Sequence, residues 1–85
     1  MSSEPHILIV EDDREIRGLI ARLLKSSEFR VSTASDGREM DRILADSRID
    51  LIVLDVMLPH EDGLSICRRL RAQTRLPIVM VSARG

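Results

Sequence analysis

Ile49-Asp50-Leu51-Ile52-Val53-Leu54-Asp55-Val56-Met57-Leu58-Pro59 is the stretch that decides the fold. Leu51 to Leu54 form an unbroken apolar run with almost no polar face, which reads as a strand covered on both sides. That pattern suits a central parallel strand better than a half-exposed antiparallel one. Asp55 breaks the run and is expected at the strand's carboxyl end, the edge at which open α/β sheets bind ligands. Taken alone, Asp55 reads more simply as a loop opener that caps its own backbone. The residues on either side of the stretch change that balance.

Upstream, His6-Ile7-Leu8-Ile9-Val10 is a second short, buried strand, ended by Glu11-Asp12-Asp13. A helix follows with Ile16, Leu19, Ile20, Leu23 and Leu24 at the spacing of one buried face. Asp12 or Asp13 is placed to cap it. Gly18 costs roughly 1 kcal/mol against Ala unless it permits close packing. Phe29 to Ala34 alternates with period two and predicts an edge strand. Asp36 and Glu39 have capping-box spacing ahead of a helix bearing Met40, Ile43 and Leu44. Downstream, Leu58 to Gly63 reads as loop. The next helix turns Leu64, Cys67 and Leu70 inward with Ile66 flanking, and Pro77 opens a last strand, Ile78 to Val81. Strands alternating with helices imply a parallel sheet with right-handed crossovers.

The chain has 85 residues, 44% of them hydrophobic and 32% charged, enough for one modest core. A net charge of −1 suggests neither a nucleic-acid partner nor an anionic membrane. Phe29 is the only aromatic residue, which excludes a base-stacking surface. Cys67 is the only cysteine, so no intrachain disulfide forms; with no signal-like amino terminus, a reducing cytoplasm is expected. No apolar run is long enough to span a bilayer.

With strand order 2-1-3-4, the first and third strands lie side by side at a topological switch point. Glu11 and Asp12 would then meet Asp55 in one crevice. Three such carboxylates repel one another, and a hard divalent cation resolves the conflict. Mg²⁺ suits it, because it binds one or two carboxylates and keeps positions for water and phosphate oxygens. Ser82 ends the fourth strand and offers a hydroxyl to the same crevice.

These residues resemble a known family. Ile7-Leu8-Ile9-Val10-Glu11-Asp12, Leu54-Asp55-Val56-Met57-Leu58-Pro59, Asp62-Gly63 and Pro77-Ile78-Val79-Met80-Val81-Ser82-Ala83 look like the receiver domain of bacterial two-component response regulators. Their phrasing is similar to regulators that carry a winged-helix DNA-binding domain. The resemblance implies a flavodoxin-like parallel sheet of order 2-1-3-4 with three helices, and one receiver domain over residues 1–85. It implies that Asp55 accepts a phosphoryl group from a sensor histidine kinase. Asp12 and Asp55 would ligate Mg²⁺ directly, Glu11 through water, and Met57 by its backbone carbonyl. Ser82 would be the switch hydroxyl and Ala83 the small phosphate neighbour. Such a chain is a phosphoacceptor that assists its own phosphorylation and dephosphorylation, and not an enzyme. Its output, transcription, would run through conformation or oligomeric state and not through nucleic-acid binding by this segment.

The resemblance also marks a departure. The family continues into a fourth helix, a fifth strand and a fifth helix, with a phosphate-pairing lysine just before that strand. The only lysine here is Lys25, on the first helix. The domain is therefore expected to be incomplete at its carboxyl end. An open fourth-strand edge and a thinly covered sheet face then predict a homodimer or higher assembly. Two rival readings remain at this level. A haloacid-dehalogenase-type phosphatase would want a second Asp two residues after Asp55, where Met57 stands. A receiver fragment acting as an interaction module without phosphorylation is favoured by the missing lysine. His6 and His60 read as surface residues, Met40, Met57 and Met80 as core, and Arg68, Arg69, Arg71 and Arg75 as a solvated helix face.

Overall fold

A computed structural model describes residues 4–82. The elements run β1 (His6–Val10), α1 (Arg14–Ser26), β2 (Arg30–Ala34), α2 (Gly37–Asp46), β3 (Leu51–Asp55), α3 (Gly63–Gln73) and β4 (Ile78–Val81). All pairings are parallel and the sheet order is β2-β1-β3-β4, as the sequence implies. β1 and β3 are the inner strands. All five residues of β1 are buried, which is why the run from His6 to Val10 carries no alternation.

Each helix begins on an aspartate that accepts from its first turn. Asp13 Oδ1 accepts from Glu15 N (2.9 Å) and Ile16 N (3.1 Å), Asp36 Oδ1 from Glu39 N (2.9 Å), and Asp62 Oδ1 from Ser65 N (2.8 Å). Each such cap stabilises its helix by about 1 kcal/mol. Asp13 therefore caps α1, and Asp12 is left for other work. The capping box of α2 closes one residue early, because Glu39 Oε1 accepts from Ser35 N and Oγ (2.6 and 2.7 Å) and not from Asp36 N. These two bonds hold the Glu39 carboxyl below its ordinary range.

The end of α1 is a Schellman turn without glycine. Phe29 N donates to Leu24 O (3.2 Å) and Glu28 N to Lys25 O (3.0 Å), with Glu28 in the left-handed region at φ 68°. Phe29 and Leu24 then pack in one cluster, the apolar contact that accompanies this motif.

The two faces of the sheet are unequally covered. On one face α2 and α3 bury Leu8, Val10, Ile52 and Leu54 against Met40, Ile66 and Leu70. Full burial stabilises each of these side chains by roughly 1.5–3 kcal/mol relative to exposure. On the other face Ile7, Ile9 and Ala21 form a smaller cluster with Ile20, Leu24, Phe29, Val31, Leu51 and Val53 at its margin. α1 packs over β1 and β2, so Leu51 and Val53 are only half-buried, and Val79, in register with Val53, is exposed.

Several expectations are corrected here. Leu19 and Leu23 are not on the buried stripe of α1; they are 59% and 66% exposed, because nothing among the described residues packs over that side of the helix. In α3 the buried positions are Gly63, Ile66 and Leu70, one turn apart, so Ile66 is core and Leu64 faces out. Met57 is exposed, since it sits in the loop after β3 and not on a packed face. His6 is buried at the start of an inner strand, with its Nε2 2.7 Å from Ser32 Oγ on β2 and its backbone N–H donating to Asp50 Oδ2 (2.8 Å). Gly18 permits no close packing: a Cβ there would meet nothing within 4 Å.

Two glycines make opposite predictions. Gly18→Ala adds a methyl in open space within a helix and should stabilise the fold by up to about 1 kcal/mol. A Cβ on Gly63 would lie 2.6 Å from Asp55 O and 2.7 Å from Val56 Cα, both backbone atoms. Gly63→Ala should therefore destabilise by about 1–3 kcal/mol, the range for overpacking. Urea melts of both variants, read at unchanged m, check the pair.

Candidate functional site

The register of β1 on β3 aligns Val10 with Leu54, so the next residues along, Glu11 and Asp55, meet at the carboxyl edge of the sheet. Glu11, Asp12 and Asp55 each present a carboxylate oxygen within 4.8 Å of the others, as the sequence anticipates. Asp55 is the last residue of β3 and not the first of the loop. Glu11 is 2% and Asp55 3% exposed, while Asp12 faces solvent.

Local backbone contacts fix these groups. Glu11 N donates to Ala34 O of β2 (3.0 Å), and Glu11 Oε2 accepts from Asp13 N (3.0 Å). Asp55 Oδ1 accepts from Met57 N (3.1 Å). Gly63 N donates to Val56 O (2.9 Å), bringing the start of α3 against the backbone of Asp55, an approach only a residue without Cβ allows. One contributor escaped sequence reasoning: Arg17 of α1. Its Nη1 donates to Glu11 O (2.9 Å) and Asp12 O (3.4 Å), tying the β1–α1 turn to the helix. The pattern held no signal for this beyond a cation one turn into the helix.

Burial pushes the Glu11 carboxyl up from 4.5 to about 7, helped by the neighbouring Asp55 and Asp12 and opposed by the Asp13 N–H. Glu11 Oε1 is buried and, among the described residues, has no hydrogen-bond partner. An orphaned, buried carboxylate oxygen beside two further carboxylates is a cost unless a cation or a proton answers it. The donor set is all oxygen and all hard, with room left by the exposed Asp12, and it fits a divalent cation such as Mg²⁺.

Ser82 directly follows β4 and is exposed. Val81 pairs with Asp55, and Val81 O accepts from Val56 N (3.0 Å), so the fourth strand delivers Ser82 to the same edge as Asp55. Ala83 lies outside the described residues. Lys25 is in the last turn of α1, away from this edge. An open cleft of about 400 Å³ lined by Asp36, Gly37, Arg38, Pro59, His60 and Glu61 lies on the flank; none of the three clustered acids lines it. Among the described residues, no helix is long and apolar enough to cross a membrane.

Residues 7–85 match the family described as response regulator receiver domain. The chain is 46% identical over 84 residues to protein PetR of Rhodobacter capsulatus, covering 99% of this chain and 35% of that protein. It is 45% identical over 81 residues to the transcriptional regulatory protein AfsQ1 of Streptomyces coelicolor, covering 95% and 36%. The chain thus spans about a third of the length of these curated relatives. Among solved structures, a Francisella response regulator receiver domain superposes with TM-score 0.88 at 31% identity, over 94% of this chain and 67% of that one. The response regulator TrrA of Thermotoga maritima, solved in complex with Mg²⁺–BeF, superposes with TM-score 0.87 at 28% identity, over 93% and 70%.

The raised Glu11 group has a definite consequence for stability. The folded state holds this proton more tightly than the unfolded chain. Its contribution is therefore full below pH 4.5 and is lost as pH rises towards about 7. Metal-free protein should lose stability across that window, and Glu11→Gln should flatten the slope. Denaturant melts at several pH values, with and without chelator, measure both.

Proposed function

The chain belongs to the response regulator receiver domain family, and from that membership we propose that Asp55 is the phosphoacceptor of a two-component signalling protein, fed by a sensor histidine kinase. The observation that carries this reading is the buried Asp55 at the end of an inner strand, beside Glu11 with its orphaned oxygen and Asp12.

In this reading Asp12 and Asp55 hold Mg²⁺ directly, Glu11 acts through a water, and the Met57 carbonyl completes the protein's share. The Mg²⁺–BeF complex of TrrA supports a Mg²⁺ site in this fold by analogy. Mg²⁺, when bound, offsets the charge on the phosphoryl oxygens during transfer. The rest falls to the chain. Met57 N–H holds Asp55 Oδ1, which orients the other oxygen, Oδ2, for in-line attack on phosphorus. A bond forms from Oδ2 to phosphorus as the bond from phosphorus to the donor breaks, and the donor leaves with its electron pair. The Ser82 hydroxyl then donates to a phosphoryl oxygen, and Ala83, the next residue along the chain, is the small phosphate neighbour of this reading. The chain thus assists its own phosphorylation and dephosphorylation without being a turnover enzyme.

The name of AfsQ1, a transcriptional regulatory protein, supports control of transcription as the output; in this reading the chain works in the cytoplasm, a winged-helix domain reads the DNA, and this segment makes no nucleic-acid contact. The exposed Leu19, Leu23 and Val79 and the open edge of β4 support self-association of the 85-residue chain.

A second reading has its own support. Lys25, the only lysine of the sequence, lies in the last turn of α1, away from the edge that carries Asp55. In this second reading the segment is an interaction module that takes no phosphoryl group.

Incubation with a small phosphodonor and Mg²⁺ should give a hydroxylamine-sensitive label that Asp55→Asn abolishes. Label persisting in the variant would move the acceptor elsewhere. Beryllofluoride with Mg²⁺ should raise the melting temperature of a working receiver by mass action; no shift would favour the interaction module. Light scattering should report a mass above the 9.6 kDa of one chain, and a dilute, cooperatively melting monomer would exclude the assembly.

A further inference from the structure

The loop from Val56 to Asp62 joins the candidate phosphoacceptor to α3 and carries Met57. Near Asp55 it is held by Met57 N–H on Asp55 Oδ1 (3.1 Å) and Gly63 N–H on Val56 O (2.9 Å). Its far end is held by one guanidinium. Arg69, on α3, donates from Nε to Glu61 Oε2 (3.2 Å) and from Nη2 to Glu61 Oε1 (3.0 Å), a two-pronged grip on the loop's carboxylate. The third nitrogen, Nη1, donates to Asp41 Oδ1 of α2 (2.9 Å). The Glu61 carboxylate also lies against the first residue of α2: a Cβ on Gly37 would be 3.0 Å from Glu61 Oε1. Arg69 thus clasps the loop, α2 and α3 together.

A half-exposed ion pair of this kind adds little to global stability. A planar fork on a carboxylate adds geometric definition that a single point charge does not. The loop turns at His60, which sits in the left-handed region at φ 70°, uncommon for a residue other than glycine, and Glu61 N donates to Pro59 O (2.8 Å) across it, so the residue Arg69 grips is the one that closes the turn. The charge on Arg69 is itself reinforced, first by Glu61 and then by Asp41.

We propose that Arg69 is a positioning residue for the Asp55 site: by gripping Glu61 it holds the β3–α3 loop so that the Met57 amide and carbonyl face Asp55 and a bound divalent cation. The proposal rests on the reading of Asp55 as phosphoacceptor. Arg69 touches neither the cation nor the phosphoryl group. Its effect is on how much Mg²⁺ the site needs, and less on the maximal rate once Mg²⁺ saturates.

The test titrates Mg²⁺ in phosphorylation of the 85-residue chain by a small phosphodonor. Arg69→Gln should raise the half-saturating Mg²⁺ concentration roughly tenfold, the low end for groups that orient ligands from outside. Arg69→Lys should not restore it, because an ammonium lacks the fork. Glu61→Gln should match Arg69→Gln, and the double variant should be no worse than either single one. Asp41→Asn takes the charge out of the tie to α2 without touching the grip on Glu61 and should leave the Mg²⁺ dependence unchanged. Amide exchange at Met57 reads the loop directly, with no phosphodonor, and should speed up in Arg69→Gln but not in Asp41→Asn. Wild-type exchange at Met57 in Arg69→Gln overturns the proposal, as does a shift in Mg²⁺ dependence that Asp41→Asn reproduces. Absence of label in the wild type overturns it too in its role at Asp55. Faster Met57 exchange in that same experiment would show that the clasp itself exists and that the phosphoacceptor reading is what failed.

Discussion

The pairing of β1 with β3 forces Glu11 against Asp55, and the site takes its character from that enforced contact. Parallel register leaves no freedom here: once Val10 aligns with Leu54, the next residues must share the sheet's carboxyl edge. Apolar burial drives the alignment, since Leu8, Val10, Ile52 and Leu54 sit on one face of the two strands and are lost from water together. The repulsion between the acids is smaller than that gain, so the fold carries it. Glu11 answers by holding its proton to about pH 7 and by leaving one oxygen unmatched. A site that is costly when empty and relieved by a cation or a proton is coupled to both.

Around this contact the neighbouring elements act as stops. Asp13 takes the cap of α1 and spares Asp12 for the crevice, while Arg17 holds both carbonyls of the turn. Gly63 lets α3 begin directly against the Asp55 backbone. The loop between them is closed at its outer end by the Arg69–Glu61 pair. Small shifts in any of these move the same few atoms, because the connections are short.

The sheet is held firmly on one side and lightly on the other. α2 and α3 bury the inner-strand residues of their face, with Ile78 and Met80 of β4 partly buried, whereas α1 shields β1 and β2 and leaves Leu51 and Val53 half-covered and Val79 open. The site lies at the rim where these two faces meet. Unequal cover gives the chain an apolar surface that water opposes, and this is the physical basis for its expected self-association.

Much of this was legible in the residues. The apolar runs of β1 and β3 and the alternation of strands and helices were enough to derive a parallel sheet with right-handed crossovers, since those features are local. The meeting of Glu11, Asp12 and Asp55 in one crevice followed only on the condition of strand order 2-1-3-4, the order that the family resemblance implies. Periodicity could mark Leu19, Leu23 and Leu64 as apolar, but whether an apolar position is covered depends on what packs over it. It could not show His6 buried, because β-strand burial is set by neighbours on both sides. Nor could it show Arg69 gripping Glu61 and Asp41, since that meeting joins a loop and two helices through side chains 8 and 28 positions apart. Local chemistry and order along the chain were thus determined by the sequence itself. Cover, register and long-range pairing were decided only by the tertiary structure, because each is a property of two segments at once.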